Sequence, residues 1–212
     1  MELFTPQIDK DFDIKITNDI IKIIYDRRAV RVYKDVPIGR RLIERIIDAG
    51  RMAPSALNKQ SWSFYVLTKK EDIHLFSTEI SKVVIKEMIK SGMKGLVKMT
   101  KDFLHFSKCS EILKAEDHVF YQAPVVIFIC APKGEEWVSL DIGMCSQNIM
   151  LAAKSLGIDS CPVGLGKFVM LTKSYSKLKV PETDQVYLAI ILGYGNETPE
   201  TKKRKNDNIY FV

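Results

Sequence analysis

Apolar residues change their spacing along this chain, and each change marks an element. Ile20, Ile23 and Ile24 follow Thr17 and Asn18, either of which can cap a helix. Leu42, Ile43, Ile46 and Ile47 fall at helical spacing and predict a second helix, entered through a turn at Pro37 and Gly39. Pro54 is expected to end it, because its ring pushes the preceding residue out of helical geometry. Trp62–Leu67 reads as a strand. The stretch from Glu71 to Ser91 is helical in pattern, Gly92 and Gly95 interrupt it, and a further helical stretch runs toward Lys114. Pro124 introduces Val125–Ala131, an unbroken apolar run rich in β-branched residues and so a buried strand. Leu140–Leu156 predicts a helix closed by Gly157. Pro162–Gly166 reads as a loop after a short strand, and Val186–Leu192 as the last core strand, stopped by Gly193-Tyr194-Gly195.

Helices and strands interleave irregularly, with long helical stretches between few strands. That order predicts an α+β fold, a three-layer α/β/α sandwich whose small mixed, mainly antiparallel sheet is flanked by helices. Composition agrees: 46% of the 212 residues are hydrophobic and 27% charged, a globular balance that excludes disordered, collagen-like and repeat-stalk chains. One domain is expected over residues 1–212. It would carry an N-terminal arm (1–17), a helical excursion (81–114) and a C-terminal arm (196–212). The longest apolar run is far short of the ~20 residues a membrane span needs, and no secretory pattern opens the chain. A cytoplasmic protein is the expectation, with neither membrane nor nucleic acid as partner.

The net charge of +6 is local. Eight lysines and three acids lie between Ser81 and Lys114, and Lys202-Lys203-Arg204-Lys205 forms a second cluster. Lys82, Lys86, Lys90, Lys94 and Lys98 repeat every four residues opposite Val83, Val84, Met88, Met93, Leu96 and Val97. This pattern suits a solvated outer face over a pliable, methionine-lined inner one; a membrane-surface or partner-binding amphipathic helix is the other possibility. Cys109, Cys130, Cys145 and Cys161, with His74, His105 and His118, lie too far apart for the usual zinc or iron–sulfur spacing. Reduced thiols in or near the core are expected instead.

Three short stretches can carry chemistry. Arg27, Arg28 and Arg31 meet at a helix-to-extended junction, where guanidinium forks can grip a phosphate or merely stand in water. The turn from Ala53 to Trp62 combines Pro54, Ser55, Asn58 and Gln60. Its amides can read a polar heterocycle edge, or the turn can satisfy only itself. Pro162-Val163-Gly164-Leu165-Gly166 can bring backbone N–H groups close to a ligand, or simply make a tight turn; the dinucleotide-binding glycine spacing is absent. Lys202–Lys205 would complete a phosphate clamp if the fold brought it to Arg27–Arg31, and is otherwise a solvated tail. Asp141, Ser146, Gln147 and Asn148 are polar on an apolar helix and suit anchoring a core turn. Nothing local suggests a Ser–His–Asp or Cys–His arrangement.

The order of these stretches is more specific than any one of them. Arg27-Arg28-Ala29-Val30-Arg31-Val32-Tyr33, then Ala53-Pro54-Ser55-Ala56-x-Asn58-x-Gln60-x-Trp62, resembles the opening signature of the FMN-dependent nitroreductase family. Asp141-x-Gly143, Gln147-Asn148, Ala152-Ala153, Leu156-Gly157-Ile158, Pro162-Val163-Gly164, Leu192-Gly193-Tyr194 and Lys202-x-Arg204 continue it, from about Asp19 to Arg204. The resemblance implies a nitroreductase-like homodimer with FMN at the subunit interface. Arg27, Arg28, Ala29, Arg31, Lys202 and Arg204 would then surround the phosphate and ribityl chain. Pro54, Ser55, Asn58 and Gln60 would come from the partner or the same interface, and Pro162, Val163, Gly164 and Leu165 would lie by the flavin. The apolar Ile-Tyr-Phe-Val terminus would embrace the other subunit. Ala29 stands where the family usually has serine, and Ser61 where proline is common.

The activity so implied is oxidoreduction, with hydride passing from NADH or NADPH to a small electron-poor acceptor such as a nitroaromatic or quinone in ping-pong fashion. The rivals are a specialised member of the family (dehalogenase, dehydrogenase or flavin-cleaving enzyme) and a non-enzymatic basic binding module.

Overall fold

The structure, a computed structural model, describes residues 19–90, 117–205 and 207–211. The N-terminal arm with its capping residues, and the excursion beyond Lys90, lie outside the described residues. Four helices are described: α1 (Asp19–Asp26), α2 (Arg40–Arg51), α3 (Lys70–Lys90) and α4 (Val138–Ser155). The strands are β1 (Ser63–Leu67), β2 (Val125–Pro132), β3 (Asp159–Val163) and β4 (Asp184–Gly193). They form one sheet in the order β1-β2-β4-β3.

The unbroken apolar run becomes β2, one of the two inner strands, because both faces of the sheet are covered. Val125, Ile127, Ile129 and Ala131 face a core built with Ile43, Ile46 and Ile47 of α2 and Ile142, Cys145 and Ile149 of α4. Val126, Phe128 and Cys130 face a second core with Ile73, Phe76 and Ile80 of α3. Phe128 meets Phe76 and Phe120 edge-on, with centroids 6.1 and 5.9 Å away. These are the three layers expected. A β-bulge shifts the β2–β4 register between Ile129 and Cys130, so that Val186 faces the same core as Ala189 and Ile191. Cys130, Cys145 and Cys161 are free and buried, and burial pushes the first two thiols up to about 12.

The fold departs from the sequence-based expectations in three places. Every ladder between the named strands is antiparallel; the parallel component of the expected mixed sheet is a single bridge, Ala29 with Ser160. Helix α2 ends at Arg51, before Pro54, with Met52 N–H donating to the Ala49 carbonyl and Ala53 N–H to the Gly50 carbonyl. Pro162–Gly166 is no loop: Pro162 and Val163 finish β3, and Gly164–Leu171 follows as 3-10 helix. Gly166 is required there, because a Cβ would sit 2.4 Å from the Ala189 Cβ on β4. Gly166→Ala is expected to cost about 1–3 kcal/mol, the usual penalty for overpacking, read as a lower urea midpoint at unchanged slope.

Candidate functional site

Past α1 the chain turns extended and runs along the open edge of β3. Ala29 bridges to Ser160, and Val30 N–H donates to the Ser160 carbonyl at 3.1 Å. Lys34 N–H then donates to Tyr194 O, and Asn196 N–H to Val32 O, each at 2.8 Å. This short pairing sets Arg27, Arg28 and Arg31 beside β3 and beside the segment that leaves β4.

The tail therefore does return to the arginines. Arg28 donates to Thr201 Oγ1 and to the carbonyls of Tyr25 and Arg27. Arg204 lies close enough to Arg27 to repel its charge. Burial, more than any neighbour, lowers the pKa of the Arg27 guanidinium; the Cys161 thiol opposes this, while Arg204 and Arg28 add to it. Its Nε is buried and has no hydrogen-bond partner among the described residues. Arg31 donates to the Ala29 carbonyl at 3.3 Å and lies over the Tyr121 ring, 5.8 Å from its centroid. Lys202 is exposed in the same tail segment. Several cations are thus crowded at one edge, one of them half-buried with a donor to spare. An anion with several acceptor oxygens would relieve both the repulsion and the unsatisfied donor.

Pro162, Val163, Gly164 and Leu165 continue the same edge: Pro162 and Gly164 are exposed and Val163 is buried. Arg27 and Arg31 both act on the Cys161 thiol, next to Pro162, opposing the upward shift that burial imposes on it. A Cβ on Gly164 would meet nothing within 4 Å, so the backbone there is open to a ligand.

The amide-rich turn is elsewhere. Ala56 N–H donates to both carboxylate oxygens of the buried Asp141 at 3.2 and 3.3 Å, docking the turn on the start of α4. Asn148 donates to the Ala49 carbonyl in the last turn of α2 at 3.3 Å, so of the polar residues of α4 Asp141 anchors the turn and Asn148 the helix before it, while Ser146 Oγ has no partner among the described residues. Within it, Gln60 N–H donates to Ser55 Oγ at 2.9 Å and Gln60 Nε2 to Asn58 Oδ1 at 3.0 Å. Leu57, Asn58 and Gln60 all have positive φ, and Pro54, Asn58 and Gln60 are exposed.

Arginine edge and amide turn occupy opposite corners of the sheet. The turn enters β1 at Ser63, opposite Cys130, whereas Ala29 flanks Ser160, which pairs with Leu192 opposite Val125. Four lateral steps of about 4.8 Å, the last from β3 to the Ala29 segment, and five residues of about 3.3 Å set them on the order of 25 Å apart. One chain does not bring its own two halves together.

Comparison with known proteins adds a direct statement. A sequence model of the nitroreductase family matches residues 24–194. The chain belongs to the nitroreductase family. Among relatives, a 4-nitrobenzoate reductase of Pseudomonas putida is 30% identical over 201 residues, covering 86% of this chain and 88% of that protein. A nitrobenzene nitroreductase of Ectopseudomonas oleovorans is 27% identical, covering 85% and 88%. Two family structures solved with bound FMN superpose along almost their whole length. That of Bacteroides fragilis is 25% identical with TM-score 0.74, covering 92% of this chain and 100% of that one. That of Desulfitobacterium hafniense is 26% identical with TM-score 0.75, covering 93% and 100%.

Three residues at the arginine edge carry no signal in the sequence. Glu197 accepts the Arg31 N–H and, at 3.1 Å, the Val32 N–H. Thr201 takes Arg28, and Tyr121 underlies Arg31. Each is ordinary in sequence and acquires a role only through the pairing of distant segments.

Proposed function

We propose that this nitroreductase-family chain is an FMN-dependent NAD(P)H oxidoreductase that acts as a homodimer, cytoplasmic and built as a single domain. One observation carries the proposal: a crowded guanidinium cluster with the orphaned, buried Nε of Arg27 at the open edge of β3. These donors fit a phosphomonoester, whose oxygens accept from several forks at once. The FMN-bound relatives support the same reading.

In this proposal Arg27, Arg28 and Arg31 hold the FMN phosphate, with Lys202 and Arg204 closing over it from the tail. Ala29 offers only its backbone. Pro162 and Val163 end the strand along the flavin, and the backbone N–H groups of Gly164 and Leu165 serve the polar edge of the ring. Pro54, Ser55, Asn58 and Gln60 are supplied by the second subunit, because in one chain they stand at the far corner of the sheet. Exposed apolar side chains support that dimer: Leu57 at 92%, Tyr25 at 71% and Phe211 at 98% are far more exposed than such residues usually are. FMN held there would supply the redox chemistry, hydride transfer between NADH or NADPH and an electron-poor acceptor such as a nitroaromatic or quinone. No side chain of the chain need act as acid or base; the cationic edge and the amides stabilise negative charge where it gathers.

A visible spectrum of the purified protein tests this directly. The expected result is a flavin spectrum, identified by mass as FMN after release, that bleaches anaerobically with NADH or NADPH and recovers with acceptor in ping-pong kinetics. A colourless protein that also refuses added FMN would overturn the proposal.

A further inference from the structure

The tail that brings Lys202 and Arg204 back to the arginines is fastened by the protein's own bonds. Backbone pairing between residues 32–34 and 194–196 ends with Asn196 N–H on Val32 O. Where that pairing stops, the half-buried Glu197 side chain continues it. One carboxylate oxygen, Oε1, accepts both the Arg31 and the Val32 N–H, two consecutive backbone amides. Four residues farther on, Arg28 donates to Thr201 Oγ1. Thr201 directly precedes Lys202, and Glu197 grips the backbone of Arg31 itself.

We propose that Glu197 and Thr201 are positioning residues forming a two-point latch that joins the tail to the arginine segment, so that one preorganised cation cradle meets the cofactor's phosphate. The inference rests on the reading that this edge binds the phosphate of FMN. Neither residue touches the phosphate. The latch sets the spacing of the cations that do, and it spares the complex the ordering of a free, self-repelling tail. At Glu197 the essential property is acceptance of two N–H groups, which a glutamine oxygen can reproduce. The negative charge is secondary.

The test titrates the full chain, stripped of flavin, with FMN and separately with riboflavin, which has the same ring and ribityl chain but no phosphate. Glu197→Ala is expected to weaken FMN about tenfold while riboflavin affinity stays within about twofold. Glu197→Gln should restore FMN binding to within about threefold of the parent, and Thr201→Val should lower the preference for FMN in the same sense. If Glu197→Ala fails to fold, Thr201→Val carries the test. Equal losses for the two flavins, or unchanged FMN affinity, overturn the latch. Arg27→Ala in the same series separates the two ideas. If it leaves the preference for FMN intact, the phosphate reading itself falls; if it abolishes the preference while the latch variants do not, only the latch falls.

Discussion

Arg27→Ala is expected to weaken FMN binding by about a hundredfold and to leave the flavin-free protein as stable as before, or slightly more stable. The Arg27 guanidinium is half-buried, its Nε lacks a partner among the described residues, and Arg28 and Arg204 repel it. Burial lowers its pKa, which means the fold disfavours the charged form that arginine nonetheless keeps. Removing the group relieves that cost. In the complex the same group meets a phosphate, where charge-assisted bonds are about twice as strong as neutral ones. A hundredfold loss corresponds to about 2.7 kcal/mol, a modest demand on such a fork. Arg27→Lys keeps the charge but not the planar fork, and its affinity should fall between the two. Flavin-fluorescence titration with a parallel melting curve measures both quantities. Unchanged FMN affinity in Arg27→Ala would remove this residue from the phosphate site.

Most of what positions that site is legible in the amino-acid sequence. The apolar run of β2, the helical spacing in α2 and the small-residue pattern of α4 are each dictated by burial, and burial is what sequence period reports. The arginines and the amide turn are visible there as chemistry. Their placement at opposite corners is not, because register and strand order are set by pairings between residues 52 to 67 positions apart. The 3-10 segments Gly164–Leu171 and Lys173–Leu178 escape detection for a local reason. Tight turns with i→i+3 bonds leave no 3.6-residue stripe to read, and glycine at Gly166 answers to Ala189, a residue on another strand. Tyr121 and Gln122 take positive φ without being glycine or asparagine, so no turn signal marks them.

That last turn is held by one carboxylate, and its removal should cost more stability than loss of any polar side chain at the cation edge. Asp117 is 4% exposed, and Oδ1 accepts from Ser77 Oγ, from Val119 N–H at 2.9 Å and from Phe120 N–H at 2.8 Å. Oδ2 accepts the Gln122 N–H at 3.2 Å. Asp117→Ala would leave these donors without their acceptor beside a fully buried Phe120, a loss of about 3–5 kcal/mol. Asp117→Asn retains an oxygen where three donors converge and sets an NH2 against Gln122 alone, so about 1–2 kcal/mol is expected. Urea unfolding separates the two, through a lower midpoint at constant slope. The effect should also reach the cation edge. Backbone strain at Tyr121 persists only while the surrounding bonds over-determine it, and the Tyr121 ring is what Arg31 rests on. Below its melting point Asp117→Ala should therefore bind FMN more weakly than Asp117→Asn, although neither variant alters a residue that faces the phosphate. Equal midpoints for the two variants would mean that water reaches all four donors, and that the turn is held by Phe120 packing rather than by the carboxylate.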